Sequence, residues 1–429
     1  MRESLKPLIT GACVVAALAL GAGRIGAADA PAPAGVAGLF ELDPQRVIGI
    51  TALGDQLVFT DFLKGVGGPL AWDGEQLVAR RAGGDTIALK PVLDAEGKVV
   101  AIVWSKHGEG PKQANRLSFR RENVSFNNGD VTLKGTLVLP QKAGRAPVVV
   151  RIHGAGPADR ANTVDEYFAY HGIAFLSYDK RGVGESSGDW KVAGVEDLAN
   201  DAAAAVTFLA NHPDIDASRI GLGGGSEGGW VAAAVTGRIP HPAFVFLLAP
   251  PALSFSSELL YEAETGLGRM GLTRKQYNDA MAYQKWKIKQ IASGAVLSKR
   301  GWKALEQRTE PTKGQPWAEA LAPWPRDSWR WEKFHRMMPF DPGPYWEKYH
   351  GPVLALYGGK DTSVPAQRNA DALRAALKRA GNRDVTVEVI PDADHEGLLA
   401  DKKDGDVVTF APGYLTRPMQ WVLDHVHKK

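Results

Sequence analysis

Cysteine is almost absent from this sequence of 429 residues, the single one being Cys13. Everything beyond the first turn or so of the apolar stretch that holds it is therefore without disulfides, thiolate metal ligands or a thiol nucleophile. Thr10-Gly11-Ala12-Cys13 is a poor lipoprotein site, because its apolar segment follows the cysteine instead of preceding it. Net charge is nearly absent as well. Of the formal +3, Arg2, Lys6 and Arg24 against Glu3 place +2 in the first 28 residues. The remainder has no electrostatic footprint for nucleic acid, and neither a nucleic-acid module nor a repeat period is present. Long hydrophobic runs are scarce, and a mean hydropathy of -0.20 argues against a multi-pass membrane protein.

The one such run, Leu8 to Gly23, follows Arg2 and Lys6 and precedes the small pair Ala27-Ala28. Residues 1–28 read as a Sec-type signal peptide, with an uncleaved anchor as the alternative, although the run is short for a spanning helix. The expected location is periplasmic or secreted, with no stable membrane insertion after cleavage. Residues 29–37, with Ala30-Pro-Ala-Pro-Ala-Gly35, read as a stiff linker.

What the chain does contain is two kinds of patterning. Residues 38–119 alternate apolar and polar positions between turn signals such as Asp73-Gly74 and Glu96-Gly97. Strands are expected at Arg46 to Leu53, Gln56 to Asp61, Gln76 to Arg81, Thr86 to Leu93, Lys98 to Ser105 and Leu117 to Phe119, giving a small antiparallel accessory β domain. Gly67-Gly68 reads as one of the turns. From 120 to 429, short apolar strands alternate with helical patterns. Strands are expected at Val131 to Leu139, Pro147 to Ile152, Ile173 to Tyr178, Ile220 to Gly223, Phe244 to Leu248, Val353 to Tyr357 and Val385 to Ile390. Helices are expected at Val164 to Tyr170, Val195 to Ala210, Ala366 to Ala380 and Leu415 to His425. Such alternation predicts an α/β fold, a mostly parallel central sheet with helices on both faces. An insertion at 252–350, holding seven of the twelve tryptophans, reads as a helical lid. Most of those rings are expected to form the lid's own core, with one or two lining an apolar pocket.

Gly224-x-Ser226-x-Gly228 sits between a strand pattern and an alanine-rich helix, the arrangement of a nucleophile elbow. The pentapeptide alone is equally a glycine-rich turn with a bystander serine. Asp361 and His395 raise it above that reading. Each follows an apolar strand, and ligand sites form at the C-terminal ends of parallel strands. Taken singly, Asp361 is a turn-former and His395 a solvated loop histidine. In order, Ser226, Asp361 and His395 are nucleophile, acid and base. Asp392 and Asp394 are competing acids too near His395 in sequence to approach its ring from the far side. Oxyanion donors are expected from the backbone N–H of Glu227 and of Ala155, with Gly156 as the alternate, in the loop His153 to Arg160. His153 reads as a brace for that loop, and Arg181 as loop architecture, with substrate contact as its alternative.

The set His153-Gly-Ala-Gly-Pro-Ala-Asp-Arg, Tyr178-Asp-Lys-Arg-Gly-Val-Gly-Glu-Ser, Gly224-Gly-Ser-Glu-Gly-Gly and Gly359-Lys-Asp-Thr-Ser-Val-Pro resembles exported bacterial esterases of the α/β-hydrolase superfamily. These are related to serine aminopeptidase-like and prolyl oligopeptidase-like hydrolases. The resemblance covers roughly 120–429. It implies a Ser226-Asp361-His395 triad, no metal or organic cofactor, and a small-molecule ester as substrate. Gly225 departs from the pattern, since such esterases often carry histidine there. Two other readings stand beside the esterase: a peptidase or amidase acting on small peptides, and an inactive hydrolase fold used for binding.

Overall fold

The structure is a computed structural model, which describes residues 35–427 except 143, 161, 162, 240 and 241. The expected signal peptide, and residues 29–34 of the linker, lie outside the described residues.

Eight strands open the fold: β1 (Gly38–Asp43), β2 (Arg46–Leu53), β3 (Gln56–Asp61), β4 (Val66–Asp73), β5 (Gln76–Arg80), β6 (Thr86–Leu93), β7 (Val99–Lys106) and β8 (Glu109–Arg116). Each pairs antiparallel with the next, and β8 returns to β1, so they close into an up-and-down barrel. Closure removes the exposed edges an open sheet would carry. Phe40, Ile48, Ile50, Phe59, Leu89, Ile102 and Trp104 fill the inside. Three of these strands are missing from the sequence expectation, each for a physical reason. β8 turns only Ala114 fully inward and so has no alternation to read. β1 is short. β4 contains Gly67 and Gly68, which read as a turn but answer close approaches instead. A Cβ on Gly67 would meet Phe59 O at 2.7 Å, and one on Gly68 would meet Asp406 O at 2.6 Å. Leu117 to Phe119 is a connection and not a strand, tied to the barrel where Leu117 N–H donates to Leu39 O at 2.8 Å.

The second layer system begins with the hairpin β9 (Arg120–Asn128) and β10 (Val131–Leu139), then β11 (Ala146–Ile152), α1 (Val164–Tyr170), β12 (Ala174–Tyr178), α2 (Val195–Ala210), β13 (Ile215–Gly225), α3 (Gly228–Thr236) and β14 (Val245–Leu248). The inserted helices follow: α4 (Phe255–Gly268), α5 (Arg274–Ala292), α6 (Lys299–Thr309), α7 (Arg330–Met337) and α8 (Gly343–Trp346). The chain then returns through β15 (Val353–Gly358), α9 (Ala366–Arg379), β16 (Val385–Ile390), β17 (Val408–Thr409) and α10 (Arg417–Val426). The large sheet runs β16-β15-β14-β13-β11-β12-β10-β9. β11 to β16 are mutually parallel, while β9 and β10 join antiparallel. With the β11/β12 exchange, this is the strand order of an α/β-hydrolase. β9 escaped the sequence reading because it is polar along most of its length.

Two contacts decide how barrel and hydrolase meet. Leu39, Val47 and Phe62 of the barrel share one apolar cluster with α1, β14, β15 and α10. Within it Phe62 stacks on Tyr167, with centroids 4.1 Å apart and planes 2° off parallel. On the other side, β17 pairs with β4, so the segment after His395 becomes a ninth strand on the barrel.

The inserted helices rest on α3 through a run of edge-to-face rings. Trp230 meets Phe255 at 5.3 Å, Phe255 meets Phe334 at 4.9 Å, and Phe334 meets Trp324 at 4.6 Å. Trp317, Trp331 and Trp346 are buried, and Trp286, Trp302 and Trp324 pack on the same cores. Trp329 instead packs on Trp190, outside the insertion, at 4.9 Å. Six of the seven tryptophans thus serve the packing of the inserted helices.

Candidate active site

β13 ends at Gly225, and the chain must turn at once into α3. Ser226 makes that turn with φ 51°, one of two non-glycine residues at positive φ among the described residues. Holding an L-residue there costs on the order of 1–3 kcal/mol, and the surroundings fix it. Ser226 N–H donates to Leu248 O at 3.0 Å, and Ser226 O accepts from Gly229 N–H at 2.7 Å. The neighbouring glycines are there for space. A Cβ on Gly228 would meet Ile152 O at 2.8 Å, and one on Gly229 would meet Pro250 Cβ at 2.5 Å. Gly225 is different: a Cβ there would meet nothing nearer than Leu248 O at 3.5 Å.

Asp361 follows β15 and His395 follows β16, two adjacent strands. Gly358 and Gly359 let their loops press together, since a Cβ on Gly358 would meet Asp394 O at 2.0 Å and one on Gly359 would meet Pro391 O at 2.6 Å. His395 Nδ1 then lies 2.6 Å from Asp361 Oδ2. The other carboxylate oxygen of buried Asp361 accepts the N–H groups of Ser363 at 2.8 Å and Val364 at 2.9 Å. A carboxylate so placed holds the proton of neutral imidazole on Nδ1 and leaves Nε2 as the acceptor. Burial disfavours charging His395, yet the hydrogen bond and charge of Asp361 outweigh it and raise its pKa above the ordinary value. Among the described residues no hydrogen bond joins the Ser226 hydroxyl to His395. Both lie on the C-terminal edge of the sheet, and such bonds commonly tighten only when substrate is bound. The competing acids are engaged elsewhere: Asp392 lies 3.2 Å from Lys360, and Asp394 accepts from Glu396 N–H and Leu398 N–H.

The N–H groups of Ala155, Gly156 and Glu227 meet no protein acceptor among the described residues. Gly156 has φ 83°, and the start of its loop lies over α3, where Gly228 faces Ile152 O and His153 O. His153 is buried, its Nε2 2.6 Å from Tyr178 O, and burial pushes its pKa well down. It ties β11 to β12. Arg181 grips Asp201 of α2 with two hydrogen bonds of 2.7 Å and is loop architecture.

Five charged residues at this edge were not singled out in the sequence. Lys180 and Lys333 both face the carboxylate of Glu227, at 2.9 Å and 3.6 Å. All three side chains are buried. Lys180 lies inside the Tyr178-Asp-Lys-Arg motif, next to Arg181. On α4, burial raises Glu258 to about 8 and Glu262 to about 7, and the charges of Asp361 and His395 both act on Glu262. Two glutamates at i and i+4 beside the apolar positions Phe255, Leu259 and Ala263 were the available signal. Glu396, next to the histidine, is raised by burial to about 7.

One group among the described residues has metal-ligand spacing, Glu122, His212 and Asp214. It sits at the N-terminal edge of the sheet, opposite Ser226, and Arg120 already bonds both carboxylates.

Against known proteins, the pattern of the X-Pro dipeptidyl-peptidase (S15 family) matches residues 128–387, well over half of the chain. Esterase EstD of Thermotoga maritima is 22% identical over 338 residues, covering 76% of this chain and 72% of that one. Polyketide transferase claH of Penicillium crustosum is 33% identical over 135 residues, covering 30% of this chain and 44% of that one. An esterase of Pyrococcus furiosus superposes with a TM-score of 0.43 at 19% identity, covering 71% of this chain and 89% of that one. With its strand order and the extent of the family match, the chain is an α/β-hydrolase and belongs to the X-Pro dipeptidyl-peptidase (S15) family.

Proposed function

We propose that this hydrolase cleaves carboxylic esters through an acyl-enzyme intermediate. Ser226 attacks the carbonyl carbon, and His395 Nε2 takes the hydroxyl proton. Asp361 fixes the tautomer and stabilises the imidazolium. The tetrahedral oxyanion is received by the N–H groups of Glu227 and Ala155, with Gly156 as the alternate for the second donor. As the intermediate collapses, His395 returns the proton to the departing alkoxide. It then takes one from the water that releases the acid. The observation that carries this reading is Ser226 at φ 51° on the sheet edge that also holds the 2.6 Å Asp361–His395 pair.

The esterase among the relatives supports an ester substrate, whereas the family description favours a second reading, release of X-Pro dipeptides. Side-by-side turnover of p-nitrophenyl butyrate and Gly-Pro-p-nitroanilide separates the two. The ester is expected to be preferred, with Ser226→Ala inactive on both; a preference for the anilide selects the peptidase. We also infer export, on the basic start and the apolar run before Ala27-Ala28. N-terminal sequencing of periplasmic material starting near residue 29 would support it, and recovery of the chain only from the cytoplasm with Met1 intact would refute it.

A further inference from the structure

Two ammonium groups and one carboxylate buried together are costly, and apolar residues of similar volume would generally hold a fold as well or better. The trio beside Ser226 therefore invites a functional account. Its members come from three elements: Lys180 follows β12, Glu227 follows the nucleophile, and Lys333 lies on α7 of the lid. Lys180 Nζ donates to Glu227 Oε1 at 2.9 Å and also to Gly154 O at 2.8 Å. Lys333 Nζ lies 3.6 Å from Glu227 Oε2, donates to Trp190 O at 3.3 Å, and stands 5.6 Å from the centroid of the Trp190 ring.

The second bond of Lys180 is the informative one. The carbonyl of Gly154 and the N–H of Ala155 belong to one planar trans peptide and point in opposite directions. Holding the oxygen fixes the direction of the N–H. The same ammonium holds the side chain of Glu227, whose own N–H adjoins Ser226. One cation thus spans both walls of the proposed oxyanion site without occupying it. The trio also carries one surplus positive charge, which favours negative charge developing nearby.

We propose that Lys180 is the positioning residue of the oxyanion hole, and that Lys333 extends the same hold to the lid, coupling the seating of α7 to transition-state stabilisation. The proposal rests on the serine-hydrolase reading above. Neither lysine contacts the reacting atoms; each acts through Glu227 or the Gly154–Ala155 peptide.

The test compares the full chain with Lys180→Met, Lys180→Arg and Lys333→Met, using p-nitrophenyl butyrate. A fluorophosphonate reacted to completion counts competent serines, so that rates are per active site. A trifluoromethyl ketone, which forms a tetrahedral oxyanion adduct, reports the hole itself. Lys180→Met is expected to lower kcat per labelled site by roughly 100-fold, the usual scale for an oxyanion donor. KM should change little, ketone affinity should fall by a similar factor, and arginine should restore part of both. Lys333→Met is expected to show the same pattern at roughly 10-fold, less than the loss of a whole donor. Should Lys180→Met not fold, Glu227→Gln carries the same comparison with the side-chain shape kept. Unchanged kcat and ketone affinity in the variants overturns the proposal, as does a loss of rate that only tracks the labelled fraction. If the wild-type chain neither turns over ester or anilide nor labels at Ser226, the hydrolase reading itself fails.

Discussion

At the scale of single residues, the site is governed by which charges are paired. His395 is held against Asp361 and its pKa is raised, although burial works the other way. A general base must be neutral, so kcat/KM should fall on the acid side through a pKa above the ordinary histidine value of about 6.5. Asp361→Asn removes both the charge and the tautomer control. A loss of roughly 10⁴-fold in kcat is expected, with the acid limb of the residual activity moved to lower pH; a limb that does not move would detach Asp361 from His395. Glu258 shows the opposite case. It accepts one hydrogen bond from Asn369 at 3.0 Å, and burial lifts it to about 8. A carboxyl whose pKa is raised by folding contributes stability below its unfolded pKa, near 4.5, and loses it as pH climbs towards 8. Glu258→Gln should therefore gain on the wild type in urea unfolding as pH rises from 5 to 9. A constant difference across that range would show that the carboxylate is already ionised in the folded protein at pH 5, held there by a partner.

At the scale of elements, the elbow and the histidine loop are set by close backbone approaches. Gly228→Ala pushes a methyl against Ile152 O and is expected to cost about 1–3 kcal/mol. Gly225→Ala meets only ordinary contact and should stay within about 0.5 kcal/mol. Equal costs in denaturant unfolding would contradict this packing. The loop after His395 is anchored far from the sheet: Phe410 N–H donates to Gly65 O at 2.7 Å, Asp406 N–H to Arg80 O at 2.7 Å, and β17 lies along β4. Asp404 adds Ala82 N–H at 2.7 Å and an ion pair with Arg81 at 2.5 Å. The barrel therefore acts as a bracket for the loop that carries His395. Gly68→Ala, whose methyl would strike Asp406 O, should lower kcat while leaving the barrel folded; full activity would free the loop from the barrel. What sequence could reveal follows the same physics. The parallel strands were legible because burial on both faces leaves unbroken apolar runs such as Val353 to Tyr357. Asp361, His395 and Ser226 were legible because each follows one. β8 and β9 were not, having little apolar alternation. Lys180, Lys333 and Glu262 were not, because a charged residue declares its burial only when its partners from distant elements are placed beside it.

At the scale of the whole molecule, barrel and hydrolase are joined by shared packing as well as by chain. Leu39, Val47 and Phe62 lie in one cluster with Tyr167, Phe246, Leu354 and Trp421. The Phe62–Tyr167 stack alone is worth on the order of 0.5–1.5 kcal/mol beyond the area it buries. Thr51 and Thr163 hydroxyls meet at 2.7 Å across the same boundary. Calorimetry should accordingly show one cooperative transition, and two resolved endotherms would mean that the halves fold independently. The barrel braces the loop of His395 and the inserted helices rest on α3, and the nucleophile proposed for this arrangement is Ser226. Peptide mapping by mass spectrometry after reaction with a fluorophosphonate tests that most directly. A single adduct on the peptide containing Ser226, absent in Ser226→Ala and slowed in Asp361→Asn, is the predicted result; no adduct, or one on another serine, would contradict it.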